Sequence, residues 1–199
     1  MLVSLKWLKD YIDPEMAPEE LADRLTMAGL EVEEIRTIAP KFSGVVVAKI
    51  LSVRPHPNAD KLSLCDVTDG SQIRPIVCGA KNIQPGDIVA LAKVGAVIPG
   101  GYTIKSTVLR GEKSEGMLCS EAELEIGDDA SGILQLPADM VPGTPLEEAL
   151  DLNDTVLDVG VTPNRSDCLS MIGLAREVAA LTGKTLKMPE GKVRESVED

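Results

Sequence analysis

The residues best suited to acid–base or nucleophilic chemistry are few and scattered. His56 is the only histidine, and it stands between two prolines, which argues against a Ser-His-Asp triad. The four cysteines form no CxxC pair, so neither a zinc site nor a disulfide framework is predicted. The glycines match neither the GxxxxGK loop nor the GxGxxG loop that bind phosphates. The sequence therefore predicts no catalytic residue and no metal ligand.

Lys and Arg are the second group with a chemical use, because they neutralise phosphate. The 199 residues hold 20 Lys and Arg against 32 Asp and Glu, a net charge of −12, which as a whole repels nucleic acid. Residues 40–116, however, hold 10 basic and 6 acidic residues, whereas residues 117–151 hold 9 acidic and no basic ones. The basic segment predicts a local phosphate-binding face, with an ordinary solvated surface as the alternative.

Aromatic side chains, which stack on unpaired bases, are scarce. The chain has four of them, and only Phe42 and Tyr102 lie in the basic segment. Either of the two fits a core position as well as a binding surface. We therefore expect base stacking to contribute little to any contact with nucleic acid.

The pattern of residues 40–151 predicts the strands and turns on which the basic residues lie. Apolar residues alternate with a period of two, and Gly and Pro separate the runs, as in a small β-barrel. Asp69-Gly70 predicts a hairpin turn between two of the strands. The predicted strands are Val45–Leu51, Leu62–Val67, Ile73–Val77, Asp87–Val94, Tyr102–Leu109 and Met117–Cys119. These five or six short strands predict a small β-barrel.

The flanks, residues 1–39 and 152–190, predict one discontinuous α+β domain into which the barrel is inserted. Residues 1–39 fit two helices and a strand, the first helix capped by Ser4 and ending near Pro14, the second beginning at Pro18. Residues 152–190 fit one strand and one helix. Neither flank alone buries a sufficient core, but the two together do. The polar residues 191–199 predict a linker to domains absent from this chain.

Three motifs in the barrel segment occur in a fixed order: VRPHPNADKL at 53–62, IVCGAKNI at 76–83 and SEGMLCS at 114–120. Together they resemble the tRNA-binding OB-fold module, which occurs in free-standing tRNA-binding proteins and inside some aminoacyl-tRNA ligases. The flanking segments MLVSLKWLKDYI at 1–12, MAGLEVE at 27–33 and VTPNRSDCLS at 161–170 resemble the start of the bacterial phenylalanine–tRNA ligase β-subunit family. The resemblance covers residues 1–190.

The resemblance implies a cytoplasmic enzyme of two α and two β subunits, in which the α subunit charges tRNA with phenylalanine using ATP and Mg²⁺. It implies tRNA and the α subunit as partners. None of the family's catalytic, ATP-binding or editing residues falls in this chain, so its implied role is non-catalytic, accessory tRNA binding and scaffolding. No apolar run approaches the roughly 18 residues that cross a bilayer, so no membrane partner is predicted.

The candidate tRNA-binding residues combine positive side chains with amide and hydroxyl donors of the matching motifs. They are Arg54, Asn58, Lys61, Lys81, Asn82, Lys105, Arg110 and Ser120. Asn164 and Arg165, in contrast, stand just before a helix and favour structural roles, such as capping and bridging to another domain, over ligand contact. Two other functions stay open: a free-standing OB-fold tRNA-binding protein, and an interaction module without RNA binding.

Overall fold

The computed structural model describes residues 1–191. Their α-helices lie before residue 28 and after residue 145, and most of the strands lie between them. In chain order the strands are β1 Leu2–Ser4, β2 Glu31–Ile38, β3 Ser43–Pro55, β4 Ser63–Thr68, β5 Ile73–Cys78, β6 Ile88–Ile98, β7 Tyr102–Thr103, β8 Thr107–Leu109, β9 Glu112–Ser114, β10 Gly116–Leu118, β11 Gln135–Leu136 and β12 Asp154–Gly160. The helices are α1 Leu5–Lys9, α2 Pro18–Met27, α3 Leu146–Ala149 and α4 Met171–Thr182. The linker predicted over 191–199 lies outside the described residues, apart from Gly191.

The chain divides into two units, one made of Met1–Ile38 with the chain from Asp154 onwards, the other of Ala39–Asn153. The first unit mixes helices with an antiparallel sheet of order β1-β12-β2. The second is rich in sheet, and its strand pairings are antiparallel. The mixed α and β class predicted from the sequence is confirmed at this level.

Local signals in the first unit explain where its helices begin and end. The Ser4 hydroxyl accepts the N–H of Trp7 at 3.0 Å, and the Ser170 hydroxyl accepts the N–H of Gly173 at 3.1 Å, so each serine caps a helix start. Pro18 begins α2 as predicted, because a helix start does not need its missing N–H. The helices and the sheet enclose a core of aliphatic side chains: Val3, Leu8, Leu21, Leu25, Leu30, Leu157, Leu174 and Val178.

The second unit is organised around β3, which pairs with β6 through Val45–Lys49 and with β4 through Lys49–Pro55. A register shift between Ile50 and Ser52 lets this long strand bend as it passes between its two partners. The sheet has the order β10-β6-β3-β4-β5, with β7 and β11 added along β6. β8 and β9 form a separate hairpin.

The two edge strands of this sheet, β5 and β10, lie against each other. The N–H of Glu115, between β9 and β10, donates to the carbonyl of Pro75 on β5 at 2.9 Å, and the N–H of Val77 donates to the Ser114 hydroxyl at 3.1 Å. These bonds join the two ends of the sheet, so the second unit is barrel-like. Two apolar clusters fill it, one around Phe42 and Val47, the other around Ile50 and Leu91.

Several predicted elements differ from the structure. The first helix ends at Lys9 rather than near Pro14, and the short strand β1 precedes it. The single strand predicted over Tyr102–Leu109 is wrong, because β7 and β8 are separate and face different partners. The period of two in that segment is shared by two short strands separated by residues 104–106, which belong to neither strand. Over residues 1–191, no helix has both the length and the apolar character to cross a membrane.

Candidate nucleic-acid interface

His56 organises the loop between β3 and β4 and is 5% exposed. Its Nδ1 accepts the N–H of Asn58 at 3.0 Å, while Nε2 lies 3.1 Å from the carbonyl oxygen of Leu109. Because Nδ1 accepts a hydrogen bond, the ring proton is on Nε2, which donates to Leu109. The backbone N–H of His56 also bonds the carbonyl of Leu62 at 3.1 Å, which closes the loop. His56 is therefore a structural residue that fastens this loop to the β8–β9 hairpin.

The β8–β9 hairpin presents Arg110 at its tip. Arg110 and Gly111 form the turn with φ of 53° and 98°, the left-handed conformation that two-residue hairpin turns require at both central positions. The Asn58 side-chain amide donates to the carbonyl of Arg110 at 3.2 Å. Two hydrogen bonds, from His56 and from Asn58, thus hold the hairpin against the 56–62 loop. Arg110 is exposed.

The loop after β5 reaches the same 56–62 loop. Nζ of Lys81 donates to the carbonyl of Lys61 at 3.2 Å. The two loops lie close together here, because a Cβ added at Gly79 would come within 3.6 Å of the Leu62 side chain. Lys61, Lys81 and Arg110, here called the basic cluster, are therefore brought to one end of the sheet by loops in mutual contact. All three residues are exposed.

Two other predicted cations, Arg54 and Lys105, do not belong to the basic cluster. Arg54 precedes the 56–62 loop on β3, is 61% exposed, and its guanidinium lies 3.1 Å from the Asp66 carboxylate. An exposed ion pair of this kind contributes about 0–1 kcal/mol, so phosphate can compete for Arg54 at little cost. Lys105 is also exposed, in the segment between β7 and β8. Among the described contacts, none joins Lys105 to the basic cluster.

The amide of Asn82 and the hydroxyl of Ser120 serve the fold. The Asn82 amide donates to the carbonyl of Ile133 at 2.9 Å and accepts its N–H at 3.1 Å, as a neighbouring strand would. The hydroxyl of the buried Ser120 donates to Glu123 Oε2 at 3.0 Å and accepts the N–H of Glu123 at 3.2 Å. Ser120 is buried, whereas Asn82 is exposed and its amide keeps a second N–H beside the one donated to Ile133. Phosphate contact by either side chain stays a prediction.

Of the two rings in the second unit, Phe42 is 6% exposed and packs in the core, while Tyr102 is 70% exposed. A single exposed ring does not build a stacking platform. The expectation of little stacking is retained, with Tyr102 as the ring that is open to solvent. Within residues 1–191 there is also no group of three or more His, Cys, Asp or Glu side chains that could hold a metal ion.

Arg165 in the first unit bridges a turn to a helix. Its Nη2 lies 2.8 Å from Glu177 on α4 and 3.2 Å from Asp167 in the 163–168 turn. Hydrogen bonds to Asp167 and then Glu177 raise the pKa of the Arg165 guanidinium, and the same bond from Arg165 lowers the pKa of Asp167. Both partners lie in the first unit, and bridging to another domain stays a prediction.

Sequence reasoning missed the β8–β9 hairpin and the role of His56. Arg-Gly is not among the dipeptides that mark a hairpin turn, and strands of three residues carry no clear periodicity. The partner of His56 lies 53 residues further along the chain, so no local pattern indicates it. The signal that was available is the glycine at position 111, which allows a positive φ.

Residues 45–145 match the family described as "Putative tRNA binding domain". Over all 199 residues the chain is 62% identical to the phenylalanine–tRNA ligase beta subunit of Syntrophus aciditrophicus, and over 197 residues it is 51% identical to that of Geobacter metallireducens. These alignments cover 100% and 99% of this chain and 25% of each relative. The chain thus spans about a quarter of the length of the curated relatives it matches.

Two solved structures align with part of the chain at low similarity. The C-terminal domain of Plasmodium vivax p43 gives a TM-score of 0.38 at 24% identity, covering 51% of this chain and 57% of that one. A MetRS-related protein from Pyrococcus horikoshii gives a TM-score of 0.39 at 19% identity, covering 51% and 87%. At these TM-scores the two structures add nothing to the assignment. The family match and the relatives confirm the resemblance found in the sequence: the chain belongs to the putative tRNA binding domain family and is similar over its whole length to phenylalanine–tRNA ligase beta subunits.

Proposed function

We propose that this chain is a non-catalytic part of a phenylalanine–tRNA ligase β subunit, and that its second unit is an accessory tRNA-binding domain. The observation that carries the proposal is the meeting of three loops that present Lys61, Lys81 and Arg110 at one end of the sheet. Positive side chains on adjacent loops suit successive phosphates of an RNA backbone. Arg54 and Asn58, at the margin of the same loops, would add contacts to the basic cluster.

The second unit is proposed to be an OB-fold barrel formed by β3, β4, β5, β6 and β10. The strand order and the hydrogen bonds from Glu115 and Val77 at its seam support this assignment. In this proposal the barrel domain covers residues 40–151, and residues 1–39 with 152–190 form the discontinuous domain that carries it. OB-folds bind nucleic acid on a strand face and its adjoining loops, which is where the basic cluster lies.

Aminoacylation is proposed to belong to other parts of the parent enzyme. The relatives are about four times as long as this chain, since it covers 25% of their length. Residues 1–191 provide no group of carboxylate, histidine or cysteine side chains fit to hold Mg²⁺. ATP, Mg²⁺ and the α subunit are therefore proposed for the complete cytoplasmic enzyme of two α and two β subunits, and no step is assigned to them here.

A scaffolding role is proposed for the first unit. Leu2, Trp7 and Leu169 are 57%, 55% and 62% exposed, and the three residues line a cavity of about 350 Å³. Apolar surface concentrated in this way is typical of protein contacts. This observation also supports the second candidate, an interaction module without RNA binding, and the tRNA titration below separates the two.

The test is a titration of tRNA against the chain at two salt concentrations. We expect binding that weakens steeply with salt, with a log–log slope near −0.7 to −0.9 for each phosphate neutralised. Changing Lys61 and Lys81 to Ala should lower both the affinity and the slope, whereas Lys49→Ala, an exposed lysine on β3, should change neither. Asp60, the residue before Lys61, carries a negative charge that partly offsets the lysine, so we expect the overall affinity for tRNA to be weak. Absence of binding at low salt would leave the interaction module as the function of this chain.

A further inference from the structure

A cavity of about 440 Å³ opens next to the basic cluster in the second unit. Val77 and Ala80 form one wall, Met117 another, and residues 130–133 a third, while Glu123 provides a carboxylate. A water molecule occupies about 30 Å³ in the liquid, so the cavity is large enough for a planar ring system. Neither the phosphate contacts nor the barrel core uses this space.

The Glu123 carboxylate is fixed in position at the cavity. Oε2 accepts the N–H of Ser120 at 2.7 Å and its hydroxyl at 3.0 Å. The Glu123 N–H returns a bond to the Ser120 hydroxyl at 3.2 Å, which completes the reciprocal Ser-x-x-Glu arrangement known from helix starts. No hydrogen bond to the second oxygen, Oε1, occurs within residues 1–191. An oriented acceptor is therefore available to a ligand in the cavity.

The cavity and the basic cluster share a boundary. Ala80 lines the cavity, and the next residue, Lys81, belongs to the cluster. Gly79 lines the cavity as well, and a Cβ at this position would lie 3.6 Å from the side chain of Leu62, which follows Lys61. A nucleotide whose phosphate lies against Lys61 or Lys81 would therefore have its base within reach of the cavity.

The chemistry of the cavity selects a base and excludes a phosphate. A carboxylate repels phosphate, whereas it accepts hydrogen bonds from the amino and imino groups of a base. Guanine offers two adjacent donors, N1–H and the 2-amino group. Uracil flanks its single N3–H donor with two carbonyl oxygens, which a carboxylate repels. Apolar side chains such as Val77 and Met117 suit the faces of a ring.

We propose that this cavity, the base pocket, binds an unpaired guanine of RNA through the Glu123 carboxylate. The proposal rests on the proposed function, because the basic cluster supplies the phosphate contacts on which the base pocket depends. It adds a preference among bases to an interface that otherwise contacts only the backbone. Single-stranded regions of RNA, where bases are unpaired, are the targets that such a pocket can read.

The probes are eight-nucleotide oligouridylates that carry uridine, guanosine or inosine at one central position, titrated by fluorescence anisotropy. We expect the guanosine probe to bind about tenfold more tightly than the uridine probe, because the free Oε1 can accept both N1–H and the 2-amino group of guanine, whereas uracil places carbonyl oxygens beside its one donor. Inosine lacks the 2-amino group and should fall between them. This series uses the unmodified chain, so it does not depend on how any variant folds.

Glu123→Gln tests the carboxylate itself. Gln retains the Ser-x-x-Gln arrangement, so the fold should persist, and the melting temperature checks this. Its amide N–H₂ would replace the free acceptor, and the preference for guanosine should vanish or reverse toward uridine. Glu148→Gln, the same charge change at an exposed position on α3, should leave the preference intact.

Three results would overturn the proposal, and each leaves a different conclusion about tRNA binding. Equal affinity for the guanosine and uridine probes, with salt-sensitive binding that depends on Lys61 and Lys81, would refute the base pocket and leave the tRNA-binding function standing. A preference for guanosine that survives in folded Glu123→Gln would likewise refute it. No binding of any probe or of tRNA at low salt would refute both.

Discussion

Buried polar side chains in the second unit hold turns, and Asp69 is the clearest case. It is 8% exposed, and it accepts the Ser71 hydroxyl at 2.7 Å and the N–H groups of Ser71 and Gln72 at 3.1 Å each. The Arg74 guanidinium lies 2.9 Å away. Arg74 was one of the cations of the basic segment, but this ion pair withdraws it from any phosphate. The net charge of a segment therefore overstates the charge that is free to bind.

The pKa of the Asp69 carboxyl predicts acid sensitivity. Burial alone would raise this pKa, but the Ser71 and Gln72 hydrogen bonds and Arg74 outweigh burial and hold it well below its usual range. The unfolded value is about 3.9, so the carboxylate stabilises the folded chain above that pH, and the contribution is lost as pH falls through 3.9 toward the depressed folded value. Asp69→Asn should cost about 1.5–3 kcal/mol at pH 7.

The measurement is urea unfolding of Asp69→Asn and the unmodified chain at pH 7 and at the lowest pH at which both remain folded. The difference in unfolding free energy should narrow at the lower pH, because there the Asp69 carboxylate takes up a proton in the unfolded chain, which stabilises the unfolded state of the unmodified chain but not of the variant. Asp139→Asn, at an exposed position, should leave stability unchanged at both pH values. A difference of equal size at both pH values would contradict the role assigned to the Asp69 carboxylate.

Among the elements, the β8–β9 hairpin matters most for the proposed function, because its turn positions Arg110. Its turn requires a left-handed backbone at Gly111, where φ is 98°, and its tip carries Arg110. The backbone of this turn is also the acceptor for His56 and Asn58. A change in the turn should therefore disturb both Arg110 and the 56–62 loop that carries Lys61.

Gly111→Ala should lower stability by about 1–2 kcal/mol, because a side chain disfavours the left-handed conformation. It should also weaken tRNA binding several-fold, since the turn and Arg110 shift. Gly95→Ala is the matched control: its φ is 92°, and a side chain there would meet no atom within 4 Å. Its stability should fall by a similar amount while tRNA binding is kept. Equal effects of both substitutions on binding would show that the hairpin has no special part in the interface.

Whether a structural feature can be predicted from the sequence depends on how far apart along the chain its contacting residues lie. The strands from Val45 to Val94 and the turn at Asp69-Gly70 were predictable, because alternation and turn dipeptides are local signals. The Asn82–Ile133 pairing was not, because its members lie 51 residues apart. Of the candidate site, the cations can be named from the sequence, whereas the partners of the Ser120 hydroxyl and the Asn82 amide cannot, since a paired and a free hydroxyl or amide are identical in sequence.

At the scale of the whole molecule, a chain with a net charge of −12 still presents a cationic site. The acidic residues 117–151 form part of the same unit, and Lys41 and Glu125 pair at 2.7 Å within it. Long-range repulsion should therefore limit the association rate with RNA, and short-range contacts at the basic cluster should carry the affinity. Weak, salt-sensitive binding is the behaviour expected of an accessory domain within a larger enzyme.

The central claim is that tRNA contacts the basic cluster, and lysine footprinting tests it most directly. The chain is acetylated briefly with and without saturating tRNA at low salt, and the modification of each lysine is quantified by mass spectrometry. We predict that tRNA slows the modification of Lys61 and Lys81 several-fold and leaves Lys49 unchanged. Unchanged rates at Lys61 and Lys81 while tRNA is bound, or protection confined to other lysines, would contradict the account.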